Sequence, residues 1–190
     1  MVENLSAGID TFTSNAFLVG GERTVLVDAG ADYDVVSRIE ERTDGLDAVV
    51  LTHTHPDHVG NLDDVKTAFG VDAWGFDASQ PGVDRGLDDE GEVRIGDESY
   101  TVLHTPGHKN DHVCLYNERA LFAGDLVFAN GGFGRTDLEE GDRRTLVESI
   151  ERLESRLADG LGVMHCGHGP SVTRNPVEDV RLARQGAKTR

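Results

Sequence analysis

The chain has 190 residues, 35 of them acidic and 18 basic, for a net charge of −17, and only Lys66, Lys109 and Lys188 are lysines. Such a balance opposes nucleic acid and anionic membrane surfaces, which need a positive footprint. It matches instead a surface suited to a high-salt cytoplasm, where screening removes the self-repulsion. No run nears the about 20 apolar residues of a membrane span, and the polar opening MVENLSAGID lacks a signal-type stretch. A soluble, cytoplasmic, single-domain protein over 1–190 is expected. Cys114 and Cys166 stand far apart and give neither a disulfide framework nor a zinc knuckle.

Short apolar runs bounded by glycine and aspartate recur along the chain. NAFLVGG and TVLVDAG read as two strands with Gly20, Gly21 and Glu22 in a tight turn between them. DYDVVSRIEERT places Val35, Val36 and Ile39 at helical spacing, and DAVVLTH is a short strand. NLDDVKTAF suits a helix with Asn61 as its cap. VDAWGF follows, and then an acidic, glycine-rich loop at 81–91 that is expected to be solvated and open to disorder. Strands are expected at EVRIG, SYTVLHT, HVCLY and ALFAGD. RRTLVESIERLESRL is the strongest helix, with Leu146, Ile150, Leu153 and Leu157 on one face. A strand at GVMH and a helix from about Pro176 close the chain. The strands fall into two groups with their own helices, which suggests two sheets packed between outer helices.

The most informative stretch is VVLTHTHPDHVGN. It holds His53, His55, Asp57 and His58 within six positions directly after an apolar run. Imidazole is the commonest side-chain metal ligand, and His/Asp mixtures suit zinc, iron or manganese. His53 and His55, one residue apart, face one side in extended backbone. Pro56 then breaks that geometry, so Asp57 and His58 aim elsewhere. Two pairs aimed differently suit two metals about 3.5–4 Å apart. Further donors end other apolar strands: His108 in HTPGH, Asp125 in LFAGD and His168 in CGHGP, each flanked by glycine that lets backbone approach closely.

THTHPDH, HTPGH, LFAGD and CGHGP, in this order and at about these spacings, resemble the metallo-β-lactamase superfamily from Asp28 to His168. HTPGHKNDHVCLY and GDLVFANGGFGRTDL look most like its glyoxalase II (hydroxyacylglutathione hydrolase) branch, in a short form. The resemblance implies an α+β fold, a four-layer αββα sandwich with the site at one edge. It also implies two divalent cations, with zinc expected and iron or manganese as alternatives. His53, His55 and His108 would bind the first, Asp57, His58 and His168 the second, and Asp125 would bridge. A zinc β-lactamase of the cysteine-ligand type would carry Cys where Asp125 stands.

The implied chemistry is hydrolysis of a small-molecule thioester by a metal-bridging hydroxide that Asp57 orients. The metals acidify the water, and a thiolate leaving group needs no strong general acid. Competing readings are a mononuclear iron persulfide dioxygenase, a lactonase, and a tRNA-processing-type phosphodiesterase, the last opposed by the net charge. His112, Arg135 and Asp137 are candidates to support the ligands or meet substrate. His104 and His165 read as structural supports, and Cys166 as a small buried residue. A homodimer in which a second subunit completes the substrate wall is open.

Overall fold

In the computed structural model, which describes residues 1–189, the chain forms two compact units. Residues 1–88 and 92–100 make the first, and residues 89–91 with 101 onward make the second.

The first unit contains β1 (Val2–Asn4), β2 (Phe17–Val19), β3 (Val25–Val27), α1 (Val35–Glu40), β4 (Ala48–Val50), α2 (Pro56–Val59), α3 (Leu62–Phe69), β5 (Ala73–Gly75) and β6 (Arg85–Gly86). β7 (Glu92–Ile95) and the first residues of β8 (Glu98–His104) also belong to it. Strands β1 to β6 lie in numerical order in one sheet. β1, β2 and β3 pair antiparallel, and β3 to β6 pair parallel. Every residue of β2, β3 and β4 is buried, the continuous apolar pattern of strands covered on both faces.

Two expectations are corrected here. The 81–91 stretch is not simply a solvated loop: Arg85 and Gly86 pair with Trp74 and Gly75 as the edge strand, and Leu87 is buried. Charged and glycine-rich, those residues show no alternation from which a strand could be read. Asn61 does sit at the cap of α3, but its side chain makes no cap bond; Nδ2 donates instead to the Ala29 carbonyl at 3.1 Å. α1 is capped conventionally, with Asp34 accepting from the Ser37 N–H at 3.0 Å and Val35 and Ile39 turned inward.

The second unit continues with β9 (Val113–Tyr116), β10 (Ala120–Gly124), β11 (Val127–Phe128), β12 (Gly132–Phe133), α4 (Arg143–Arg156), β13 (Val163–Cys166) and α5 (Pro176–Thr189). β8, β9 and β10 pair antiparallel, and β13 joins β10 in parallel. The β11–β12 ribbon has two residues per strand, too short to carry a period. α4 starts at Asp142, which accepts from the Thr145 N–H at 2.7 Å. It buries Leu146, Ile150 and Leu153, with Leu157 packed at their edge, as the spacing predicts. Burying each such side chain stabilises by about 1.5–3 kcal/mol. Gly107 has φ +122°, and a Cβ there would stand 2.2 Å from the Leu146 nitrogen, so only glycine lets the loop after β8 lie against α4.

Each unit has its own apolar core, Leu26, Val49 and Val65 contributing to one and Leu121, Ile150 and Val180 to the other. Among the described residues no helix is long and apolar enough to cross a membrane. Parallel pairing sets the location of the functional residues. β3 and β4 run side by side, so Asp28 and the segment from Thr52 leave the sheet at the same edge. β10 and β13 do the same for Asp125 and His168. The carboxyl ends of parallel strands are where open α/β sheets hold their ligands.

Candidate metal centre

In the first unit the histidine cluster is organised by a buried carboxylate. Asp28, 3% exposed, accepts from the Thr52 N–H at 2.8 Å on Oδ1. Its Oδ2 accepts from the Thr52 hydroxyl at 2.7 Å and lies 2.9 Å from His58 Nδ1. A carboxylate offers only acceptors, so His58 donates from Nδ1 and its Nε2 keeps a lone pair. The Thr52 hydrogen is given to Asp28, so the His53 Nδ1 at 3.2 Å donates to Thr52 Oγ1 and likewise leaves Nε2 as a donor atom. One carboxylate therefore fixes the tautomer of two candidate ligands.

The resulting donors lie close together. His53 Nε2 and His55 Nδ1 are 3.1 Å apart. His58 Nε2 lies 3.9 Å from Asp57 Oδ2, and the His53 and His58 rings tilt against each other at 4.0 Å between centroids. His55 precedes α2 and Pro56 opens that helix, which places Asp57 and His58 in its first turn, and the His58 ring lies closer to His53 than the His55 ring does, 4.0 against 4.8 Å between centroids.

The second unit supplies His108, Asp125 and His168. His108 Nε2 and His168 Nε2 each stand 3.4 Å from the same oxygen, Asp125 Oδ2. His108 Nδ1 donates to the Arg135 carbonyl at 2.8 Å, which aims Nε2 at Asp125. The Asp125 N–H donates to His112 Nε2 at 3.0 Å, and His112 Nδ1 donates to Thr105 Oγ1 at 2.9 Å. His112 is fully buried and thus acts through the Asp125 main chain. Gly167 leaves room for the carboxylate: a Cβ there would come within 2.1 Å of Asp125 Oδ1.

The donor chemistry fits divalent metal. Two ligands held at about 2.0–2.1 Å by one tetrahedral zinc stand about 3.3–3.4 Å apart, and the pairs here lie at 3.1, 3.4, 3.4 and 3.9 Å. At 3.4 Å, N and O are beyond ordinary hydrogen-bond separation, while two imidazoles equidistant from one carboxylate oxygen are placed for a shared ligand. All seven side chains are histidine or aspartate, residue types that suit zinc, iron or manganese.

Comparison with known proteins decides the family. The model of the metallo-beta-lactamase superfamily matches residues 9–82 and 75–168. The chain belongs to the metallo-beta-lactamase superfamily. Hydroxyacylglutathione hydrolase GloC of Haemophilus influenzae is 31% identical over 194 residues, covering 87% of this chain and 90% of GloC. A hydroxyacylglutathione hydrolase of Hydrogenovibrio crunogenus is 32% identical over 149 residues, and the match spans only 54% of its length. Among solved structures, TTHA1623 in a di-iron-bound form superposes with a TM-score of 0.74 at 28% identity, covering 98% of this chain and 96% of that one. The protein has the α+β metallo-beta-lactamase fold that its motifs implied.

The remaining candidates in this superfamily member have defined contacts. Arg135 and Asp137 form a bidentate, exposed ion pair at 2.7 and 2.8 Å, and those hydrogen bonds hold the Asp137 carboxyl at about 2. The support that this segment gives to a ligand comes from the Arg135 carbonyl, which residue identity does not encode. His104 Nε2 donates to the Asn110 carbonyl at 2.8 Å. His165 stacks on Phe122 at 4.9 Å with Nδ1 2.9 Å from Ser171 Oγ, and burial lowers its pKa to about 4. Cys114 and Cys166 are buried, which pushes both thiols up to about 12 and excludes a thiolate role near neutrality.

His112→Ala tests the main-chain support of Asp125. The Asp125 N–H would lose its acceptor, at a cost of about 1–3 kcal/mol. The expected results are a lower Tm of metal-free protein and about 10-fold weaker zinc uptake in a chelator competition.

Proposed function

We propose that this metallo-hydrolase cleaves thioesters at a dinuclear zinc centre. As the family resemblance implies, His53, His55 and His108 would hold one cation, Asp57, His58 and His168 would hold the other, and Asp125 would serve both. The observation that carries the reading is the donor set: five imidazoles and two carboxylates in four pairs 3.1–3.9 Å apart. When bound, two divalent cations supply an acidified water and a Lewis acid for the carbonyl oxygen.

The residues of the chain do the rest. Asp57, in the first turn of α2, accepts a hydrogen bond from the attacking water and orients it toward the acyl carbon. Asp28, through Thr52 and directly, keeps His53 and His58 in the tautomers that leave Nε2 available. The Arg135 carbonyl and His112 fix His108 and Asp125. A thiolate leaves without a protonating group, so the absence of a dedicated acid from this set is no obstacle. The likeness to two hydroxyacylglutathione hydrolases supports a small acyl thioester as the substrate. The di-iron form of TTHA1623 supports iron as the alternative occupant.

The test is metal content per chain by mass spectrometry on protein purified in high salt without chelator, followed by thiol release from a thioester panel. About two zinc ions per chain and thiol release are expected. About one iron per chain, with oxygen consumed on a persulfide, would replace this reading with the dioxygenase.

A further inference from the structure

Lys109 directly follows the ligand His108, and its residue is only 6% exposed. Its Nζ lies 2.8 Å from Glu140 Oε1 and 3.5 Å from Asp111 Oδ1. An ammonium is costly to bury unless carboxylates answer it, so this pairing is a built feature of the loop. All three lysines of the chain are in ion pairs, Lys66 with Asp84 and Lys188 with Glu151, but those two lie nearer the surface.

Glu140 does more than neutralise. Its other oxygen accepts the Asn110 N–H at 3.1 Å, so one carboxylate holds two successive residues of the His108 loop. The same segment of chain supplies two further holds. The Arg135 carbonyl takes the His108 Nδ1 hydrogen at 2.8 Å, and the Asp142 N–H donates to the Gly107 carbonyl at 2.8 Å. Residues 135–142 thus grip residues 107–110 at four points. Three of these points use main-chain atoms, and the fourth is the only one made by two side chains.

We infer that the Lys109–Glu140 pair is a latch that positions His108 as a ligand. It seats the loop so that the Arg135 carbonyl meets Nδ1 and Nε2 faces Asp125 Oδ2 at 3.4 Å. Lys109 is a positioning residue and touches neither substrate nor metal; the inference rests on the metal-hydrolase reading given above. Supports that orient a ligand typically change metal affinity by about 10- to 100-fold.

The test compares full-length wild type, Lys109→Met and Glu140→Gln. Three quantities are read: zinc affinity by chelator competition, Tm of the metal-free protein, and kcat and KM for a thioester. Both variants are expected to bind zinc about 10-fold more weakly and to lose kcat with KM nearly unchanged. A variant with a lowered metal-free Tm but wild-type zinc affinity shows a merely structural pair and overturns the latch. Wild type that loads zinc beside variants that load it equally well overturns the latch alone. Wild type that takes up no metal overturns it together with the hydrolase reading. Should Lys109→Met fail to fold, Glu140→Gln decides, since its amide oxygen keeps the Asn110 N–H while its NH2 group, a donor, replaces the oxygen that accepted from Lys109 Nζ.

Discussion

Gly167→Ala is expected to strip zinc from the second unit's ligands and to cut turnover by about 100-fold while the chain still folds. Gly167 has no positive φ, so alanine meets no backbone penalty there, and the whole effect is steric. The added Cβ would lie 2.1 Å from Asp125 Oδ1 and 3.0 Å from the Gly124 carbonyl carbon and oxygen. The Gly124 contacts are tight but within reach of a small shift, whereas 2.1 Å to a carboxylate oxygen forces Asp125 to rotate away. A carboxylate can swing on its side-chain torsions at modest cost, which is why the fold survives. As the oxygen moves, its 3.4 Å approach to both His108 and His168 is lost. A displacement of about 1 Å at a reacting centre can cost about 100-fold. The measurement is zinc per chain, kcat and Tm for Gly167→Ala beside Gly160→Ala, where nothing lies within 4 Å of the new methyl. Full zinc content and wild-type kcat in Gly167→Ala would show that Asp125 is not held at the position described.

How far the sequence reveals this site depends on whether side chains or main chain do the work. The candidate ligands are readable, because they are histidines and aspartates at or shortly after the ends of apolar runs and metal chemistry draws on few residue types. The central strands and α4 are readable for the same kind of reason, since burial imposes a period or a continuous apolar run. What escapes is support delivered through backbone atoms. The Arg135 carbonyl on His108 could be supplied by any residue, and the acceptor of the Asp125 N–H becomes visible only when the pairing of β9 with β10 brings His112 under it. Lys109 is as opaque, because its partner Glu140 is 31 residues away and sequence alone would leave both in solvent. Asp28 is a different case. It ends the run VLVDAG just as Asp125 ends ALFAGD, so the rule that found the ligands also points to it. Its role could not be assigned without the parallel pairing of β3 and β4 that sets Thr52 beside it. Short edge elements such as β6 and the β11–β12 ribbon carry two residues per strand and so have no pattern to read.

The other large effect expected is at that aspartate. Asp28→Asn should lower zinc affinity by about 10- to 100-fold through the hydrogens on two imidazoles. The substitution is nearly isosteric, and asparagine tolerates the φ of +57° found at this position. The amide oxygen keeps the Thr52 N–H that Oδ1 now accepts, which places the NH2 group where Oδ2 meets the Thr52 hydroxyl and His58 Nδ1. A donor in that place reverses both bonds. His58 Nδ1 becomes the acceptor and its hydrogen moves to Nε2, the atom that faces Asp57. The Thr52 hydroxyl, no longer able to donate to residue 28, turns to His53 Nδ1 and drives that hydrogen to Nε2 as well. Metal could then bind only after each ring gave up or moved a proton, with a donor now facing Nδ1 of both rings. Alanine at position 28 would add a buried donor without an acceptor, about 1–3 kcal/mol, and strain at positive φ, so it confounds stability with affinity. Imidazole 15N spectra of metal-free Asp28→Asn should show both rings protonated at Nε2, with Tm close to wild type. If the rings stay protonated at Nδ1 and zinc binds as tightly as in wild type, Asp28 does not set the tautomers, and the organisation of the first unit's ligands must lie elsewhere.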